Sequence, residues 1–99
     1  MRTMLRIAMD VEAANRAVKS GELKKVLQAT LERLKPEAAY FTAIDGKRTA
    51  IVVFDLKDPS DMPSIAEPLF MTLGAQIFVS PVMNQEDLMK GLDKAEKMR

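Results

Sequence analysis

Hydrophobic and polar positions change period several times along the chain, and each change marks an element. Met4-Leu5-Arg6-Ile7-Ala8-Met9 is short and apolar at most positions, which predicts a strand, and Asp10 behind it is a helix-capping residue type. From Asp10 the spacing becomes helical through Val11, Ala14 and Val18. After Ser20-Gly21 a stronger stripe follows at Leu23, Val26, Leu27, Thr30, Leu31 and Leu34, the pattern of an amphipathic helix. Glycine is a poor residue inside a helix, so Ser20-Gly21 predicts a break between a short helix and a long one. Lys35-Pro36 stops the long helix, because proline disfavours helical geometry in the residue before it.

Glu37 to Ala43 carries Tyr40, Phe41 and Thr42, which suit a pleated surface, and Asp45-Gly46 predicts a hairpin turn. The second arm, Thr49 to Leu56, has the strongest strand composition in the chain and almost no alternation. A strand apolar on both sides is normally covered on both sides, which one helical layer does not achieve. Lys57 to Asp61 reads as a loop. Met62, Ile65, Ala66, Leu69 and Leu73 share a helical face beyond it. Pro68 predicts a kink or a late start for that helix, and the Ser64 to Glu67 capping-box spacing favours the late start. Gly74 closes it. Ala75 to Met83 reads as the fourth strand. Asn84 opens a last helix with Asp87 three positions on and a Met83 to Leu88 staple, and Leu88, Leu92, Ala95 and Met98 are expected to face inward.

The expected architecture is therefore one α+β domain over residues 1–99, a ferredoxin-like β-α-β-β-α-β chain with an extra C-terminal helix. In that topology the first and third strands are central. They are also the two ribbons that look apolar on both faces, so a second copy is the expected cover and the chain is expected to be a homodimer joined through its sheets.

Composition narrows the chemistry. The chain has no cysteine and no histidine, so thiol nucleophiles, imidazole bases and their metal sites are outside its repertoire, and neither a metal nor a cofactor is expected. A formal charge of +1 argues against nucleic acid or an anionic membrane as partner. Arg2, Arg6 and Asp10 interrupt the first ten residues, which argues against an export signal, and a cytoplasmic protein is expected. Of the eight methionines, Met9, Met62, Met71 and Met83 are expected to be partly buried as gap fillers.

The segments Glu32 to Phe41, Phe54 to Pro59 and Pro81 to Asn84, taken with the element order, resemble small bacterial proteins of the dimeric α/β-barrel superfamily. The resemblance spans almost the whole chain and implies the fold and the dimer. Relatives in that superfamily include antibiotic-biosynthesis monooxygenases, muconolactone isomerases and haem-binding proteins. None of their catalytic motifs has a counterpart here, so the resemblance carries no catalytic residue.

Three polar residues stand out in the strands. Arg6 and Asp55 are the only charges within the two predicted central strands, where antiparallel placement would pair them at the dimer seam. Arg6 would otherwise anchor a ligand carboxylate through its planar fork. Tyr40, the sole tyrosine, is a candidate hydrogen-bond donor in a pocket with Phe41, Phe54 and Phe78. Glu67 is read as a helix cap, and Lys24-Lys25 and Lys47-Arg48 as solvated surface. Two functions are consistent with these residues. The first is a small-molecule-binding protein, or an enzyme working without a metal, that holds a mostly apolar ligand between sheet and helices with Arg6, Tyr40 and Asp55 as its polar contacts. The alternative is a non-catalytic homodimeric interaction protein with no ligand pocket.

Overall fold

A computed structural model describes residues 1–98. Its elements are β1 (Arg2–Ala8), α1 (Val11–Ser20), α2 (Glu22–Leu34), β2 (Ala38–Ile44), β3 (Lys47–Asp55), α3 (Met62–Leu73), β4 (Gln76–Pro81) and α4 (Gln85–Lys97). The chain is α+β, and its four strands form one antiparallel sheet in the order β2-β3-β1-β4. That strand order is compatible with a ferredoxin-like fold. The element order differs from the expected one in detail, because the first crossover is two helices and not one. Gly21 sits between them at φ 83, capping α1 with its N–H on the Val18 carbonyl and turning the chain into α2. A residue with a side chain pays for positive φ, so the break falls on the glycine.

The same logic fixes the hairpin. Asp45 and Gly46 both have positive φ, the geometry of a two-residue turn whose twist matches the flanking strands. Asp10 caps α1 by accepting from the Ala13 N–H at 2.9 Å. Beside that cap, Gly74 closes α3 at φ 53, and a Cβ there would stand 3.1 Å from the Cβ of Asp10. Left-handed geometry costs an ordinary residue about 1–2 kcal/mol, so Gly74→Ala should lower stability by at least that much. Urea unfolding of the variant checks this, and an unchanged midpoint at unchanged slope would contradict it.

α3 departs from expectation at Pro68. The helix runs unbroken from Met62, with Pro63 in its first turn, where a missing N–H is harmless. The Ser64 to Glu67 capping box does not form, since Ser64 Oγ donates to the Asp61 carbonyl at 2.8 Å. Pro68 is on the exposed side of the helix, where water can take the Ser64 carbonyl that the proline leaves without its helical partner.

Burial alternates along β1, with Thr3, Leu5 and Ile7 turned toward the helices and fully buried. Ala50, Val52 and Phe54 of β3 join them, and Leu69 and Leu73 of α3 close the layer from above. The stripe Leu23, Val26, Leu27, Leu31 and Leu34 packs against this core but stays partly exposed. Among the described residues every buried side-chain polar atom has a partner. Met9 belongs to the core and Met62 is half-buried, whereas Met71 and Met83 are exposed, contrary to the gap-filling role expected of them.

α4 is a larger correction. The helix forms as expected, opened by a reciprocal capping box between Asn84 and Asp87. Its apolar stripe does not face inward: Leu88, Met89 and Leu92 are 40%, 49% and 53% exposed, Met98 is exposed, and no residue of the helix is buried. The physical reason is direction, because α4 leaves the sheet at its β4 margin and runs away from the body. The long dimension of 55 Å and radius of gyration of 15.9 Å reflect this, against roughly 13 Å for a compact chain of this length. Among the described residues no helix is long and apolar enough to cross a membrane.

Candidate functional site

Strand register decides what stands beside what on the face of the sheet that carries no helix. Met4 lies opposite Val53, Arg6 opposite Ile51, and Tyr40 opposite the other side of Ile51. On the β4 side Phe78 is the neighbour of Arg6. The centre of this open face is thus Met4, Ile51, Val53 and Phe78 around a single cation. The Arg6 guanidinium lies over the Phe78 ring, 4.3 Å from its centroid, an arrangement in which the ring quadrupole attracts the charge.

The expected pairing of Arg6 with Asp55 is not made. Asp55 is opposite Arg2, four residues from Arg6, in a β1–β3 register continued beyond the strand ends by the Met9 N–H to Arg48 carbonyl and Leu56 N–H to Met1 carbonyl bonds. Asp55 instead accepts from the Met1 amine at 2.6 Å. That hydrogen bond, reinforced by the charge of the amine, holds the Asp55 carboxyl below its ordinary value. Its contribution to stability is therefore present above the unfolded carboxyl range and lost as pH falls through the lowered value, and it is screened because both groups are exposed. Arg2, on the same edge, donates to Glu37 at 2.6 Å and to Asp87 at 3.1 Å. The hydrogen bond to Glu37, more than any other contact, raises the Arg2 value. This edge cluster ties the root of α4 to the sheet.

Tyr40 is 69% exposed on β2, and the candidate residues do not converge on one cavity. Arg6 borders a hollow of about 90 Å³ on the open face with Thr49, Gln76 and Phe78, and Tyr40 does not line it. Asp55 borders a depression at the end of the sheet on the helical side. Glu67 is exposed on α3, consistent with a solvated carboxylate.

Sequence reading missed a cleft between α2 and α3. It has a volume of about 280 Å³, an apolar floor of Val26, Ala29, Leu34, Ile65 and Pro68, and Lys25 and Arg33 at its rim. Arg33 is held in place by a hydrogen bond to Ser64 Oγ. Through Arg33, Leu34 and Ile65 the cleft continues into the depression bordered by Asp55, where Lys35 and Lys57 add positive charge and Asp55 and Asp61 offset it. The signal in the sequence was slight. Lys25, Ala29 and Arg33 recur every fourth residue along one face of α2, which is the ordinary look of a solvated helix side.

No protein-family model matches the chain and no curated protein matches it.

Proposed function

We propose that this chain acts as a homodimeric interaction module of the ferredoxin-like, dimeric α/β-barrel kind, joined through the open faces of its sheets. The observation that carries this reading is the composition of that face. Met4, Ile51, Val53 and Phe78 form a continuous apolar centre on two central strands and one edge strand, with no layer of this chain to cover it. A contiguous apolar patch of this kind marks an interaction surface, and an isologous pairing covers two such patches at once. Arg6 then belongs to the seam, with its charge shared by the Phe78 ring. With no cysteine, the pair rests on packing alone and suits a reducing cytoplasm. Sedimentation velocity at tens of micromolar should report two chains per particle, and a single chain under those conditions would sink the reading.

The α2–α3 cleft favours a second reading, in which the module also holds a small ligand. An apolar floor with Lys25 and Arg33 at the rim suits a mostly apolar molecule with an anionic end, such as a medium-chain fatty acid or an aromatic carboxylate. The arginine fork, already oriented by Ser64, is the natural carboxylate contact. A charge-assisted hydrogen bond of this type contributes about 1.5–3 kcal/mol, so Arg33→Met should weaken binding of a fluorescent anionic probe such as anilinonaphthalene sulfonate by roughly 10-fold or more. An unaltered titration curve for Arg33→Met would remove the cleft from consideration.

A further inference from the structure

Arg6 is the one charge at the centre of the open sheet face, and its hydrogen-bond donors are unused. The three cross-strand rows there, from Ala38 to Ser80, from Tyr40 to Phe78 and from Thr42 to Gln76, contain no carboxylate. Stacking on Phe78 engages the flat side of the guanidinium. Its N–H groups lie in the plane of the group and radiate from its edge, so the fork that matches a carboxylate stays free. No hydrogen bond or ion pair joins it to any described residue.

Beside this fork the surface of the sheet dips. Ala8, two residues along β1 and on the same face, stands between Thr49 of β3 and Gln76 of β4, and its single methyl leaves the hollow of about 90 Å³ that Arg6 borders. A water takes about 30 Å³ in the liquid, so the space suits about three waters or an organic ion of about four heavy atoms. Lys47 and the Gln76 amide add donors, Phe78 and Ala8 supply apolar walls, and Asp45 is its one acid against two cations. The Thr49 hydroxyl adds no donor, because it gives its proton to the Lys47 carbonyl at 3.0 Å. A small space with convergent donors, an excess of positive charge and apolar walls is the complement of a short carboxylate.

We infer that the open face carries a site for a short-chain monocarboxylate of about the size of acetate, whose two oxygens accept from the Arg6 fork in the hollow beside Ala8. This rests on the homodimer proposed above and names what neutralises its seam. Pairing of two open faces shuts both Arg6 guanidinium groups away from water, and attraction to the Phe78 ring is weaker than that desolvation. A second copy presents the same rows, again free of carboxylates, so the counter-charge at the centre is a bound ion. Asp45 of a second copy is the competing counter-charge, and the test separates the two. The α2–α3 cleft lies on the helical side of the sheet and is a different site.

The test uses the full chain at neutral pH, with sodium chloride replaced stepwise by sodium acetate at constant ionic strength so that screening does not change. Each dimer holds two sites, so acetate at about twice its dissociation constant should tighten the pair roughly 10-fold in sedimentation equilibrium. Arg6→Met should lose this response. Arg6→Lys, which keeps the charge and loses the fork, should lose most of it, and circular dichroism checks that both variants fold. In the parent, the Arg6 Nε–H resonance, assigned by its absence from Arg6→Lys, should shift along the same titration. A parent dimer whose tightness ignores acetate overturns the carboxylate site in favour of Asp45 of the second copy and leaves the sheet-face dimer standing. Tightening that Arg6→Met shares, or an Arg6 resonance that does not move, overturns it equally. A parent that stays a single chain in both salts removes the site and the dimer together.

Discussion

If the chain pairs through its open sheet faces as proposed, Ile51→Lys is expected to separate the pair into folded monomers. Ile51 lies at the centre of the open face, between Arg6 on β1 and Tyr40 on β2. In the monomer the new ammonium is bathed in water, and its cost is limited to repulsion by Arg6, a fraction of 1 kcal/mol for like charges facing each other across strands. In the proposed dimer the same ammonium is shut between two sheets without a counter-ion, twice over by symmetry. The penalty for an unpaired buried charge is about several kcal/mol, so dissociation should become easier by roughly 100-fold or more. Arg6→Met, which removes a charge from the proposed seam and replaces it with a flexible apolar chain, should leave the proposed dimer as tight or tighter. Sedimentation equilibrium distinguishes the two, and equal dissociation constants for Ile51→Lys and the parent would place the interface elsewhere.

Leu69→Ala is expected to strike the other half of the molecule. Leu69 is fully buried and belongs to the same core cluster as Leu5 and Val52. Truncating a buried leucine lowers stability by about 2–5 kcal/mol through lost transfer energy and the cavity left behind. Against the roughly 5–15 kcal/mol that holds a domain of this size together, that is a large share, and a fall in melting temperature of about 10 °C or more is expected at fixed protein concentration. The concentration must be held constant because the proposed dimerisation would itself raise the transition. Since the cavity is on the helical side, the variant should sediment as the parent does below its transition. A variant that melts as the parent does would mean that Leu69 is not buried in the core as described.

The turns and strands were the most legible parts of this sequence. Asp45-Gly46 names its own hairpin because few residue pairs accept two positive φ values, and Ser20-Gly21 marked the break that becomes the α1–α2 junction. The apolar run in β3 was equally plain, and its two-sided character pointed to a face that the helices of this chain leave uncovered. Proline misled, since Pro68 reads as a helix breaker until its position on the exposed side shows that water can satisfy the backbone it frees. The Arg6 and Asp55 pairing failed for a different reason. Both residues were placed on the right strands, but the four-residue offset between them follows from which faces of β1 and β3 are buried and from the backbone bonds at the strand ends, not from the charges themselves. α4 shows the limit most clearly: its periodicity states that one side wants cover and is silent on whose surface supplies it. The α2–α3 cleft is the converse case, a gap left by the small side chain of Ala29 and the ring of Pro68 on two helices far apart in sequence. No local pattern encodes such a gap.

Contact between the open faces of two copies is most directly read from intermolecular nuclear Overhauser effects in a mixed sample. One population would carry labelled methyl groups on methionine and isoleucine in a deuterated background, and the other protonated aromatic rings. The expected result is magnetisation transfer from the Met4 and Ile51 methyls to aromatic protons of Phe78 or Tyr40 on the other copy. Methyls of Met4 and Ile51 that show transfer to water alone, in a sample concentrated enough for association, would contradict it.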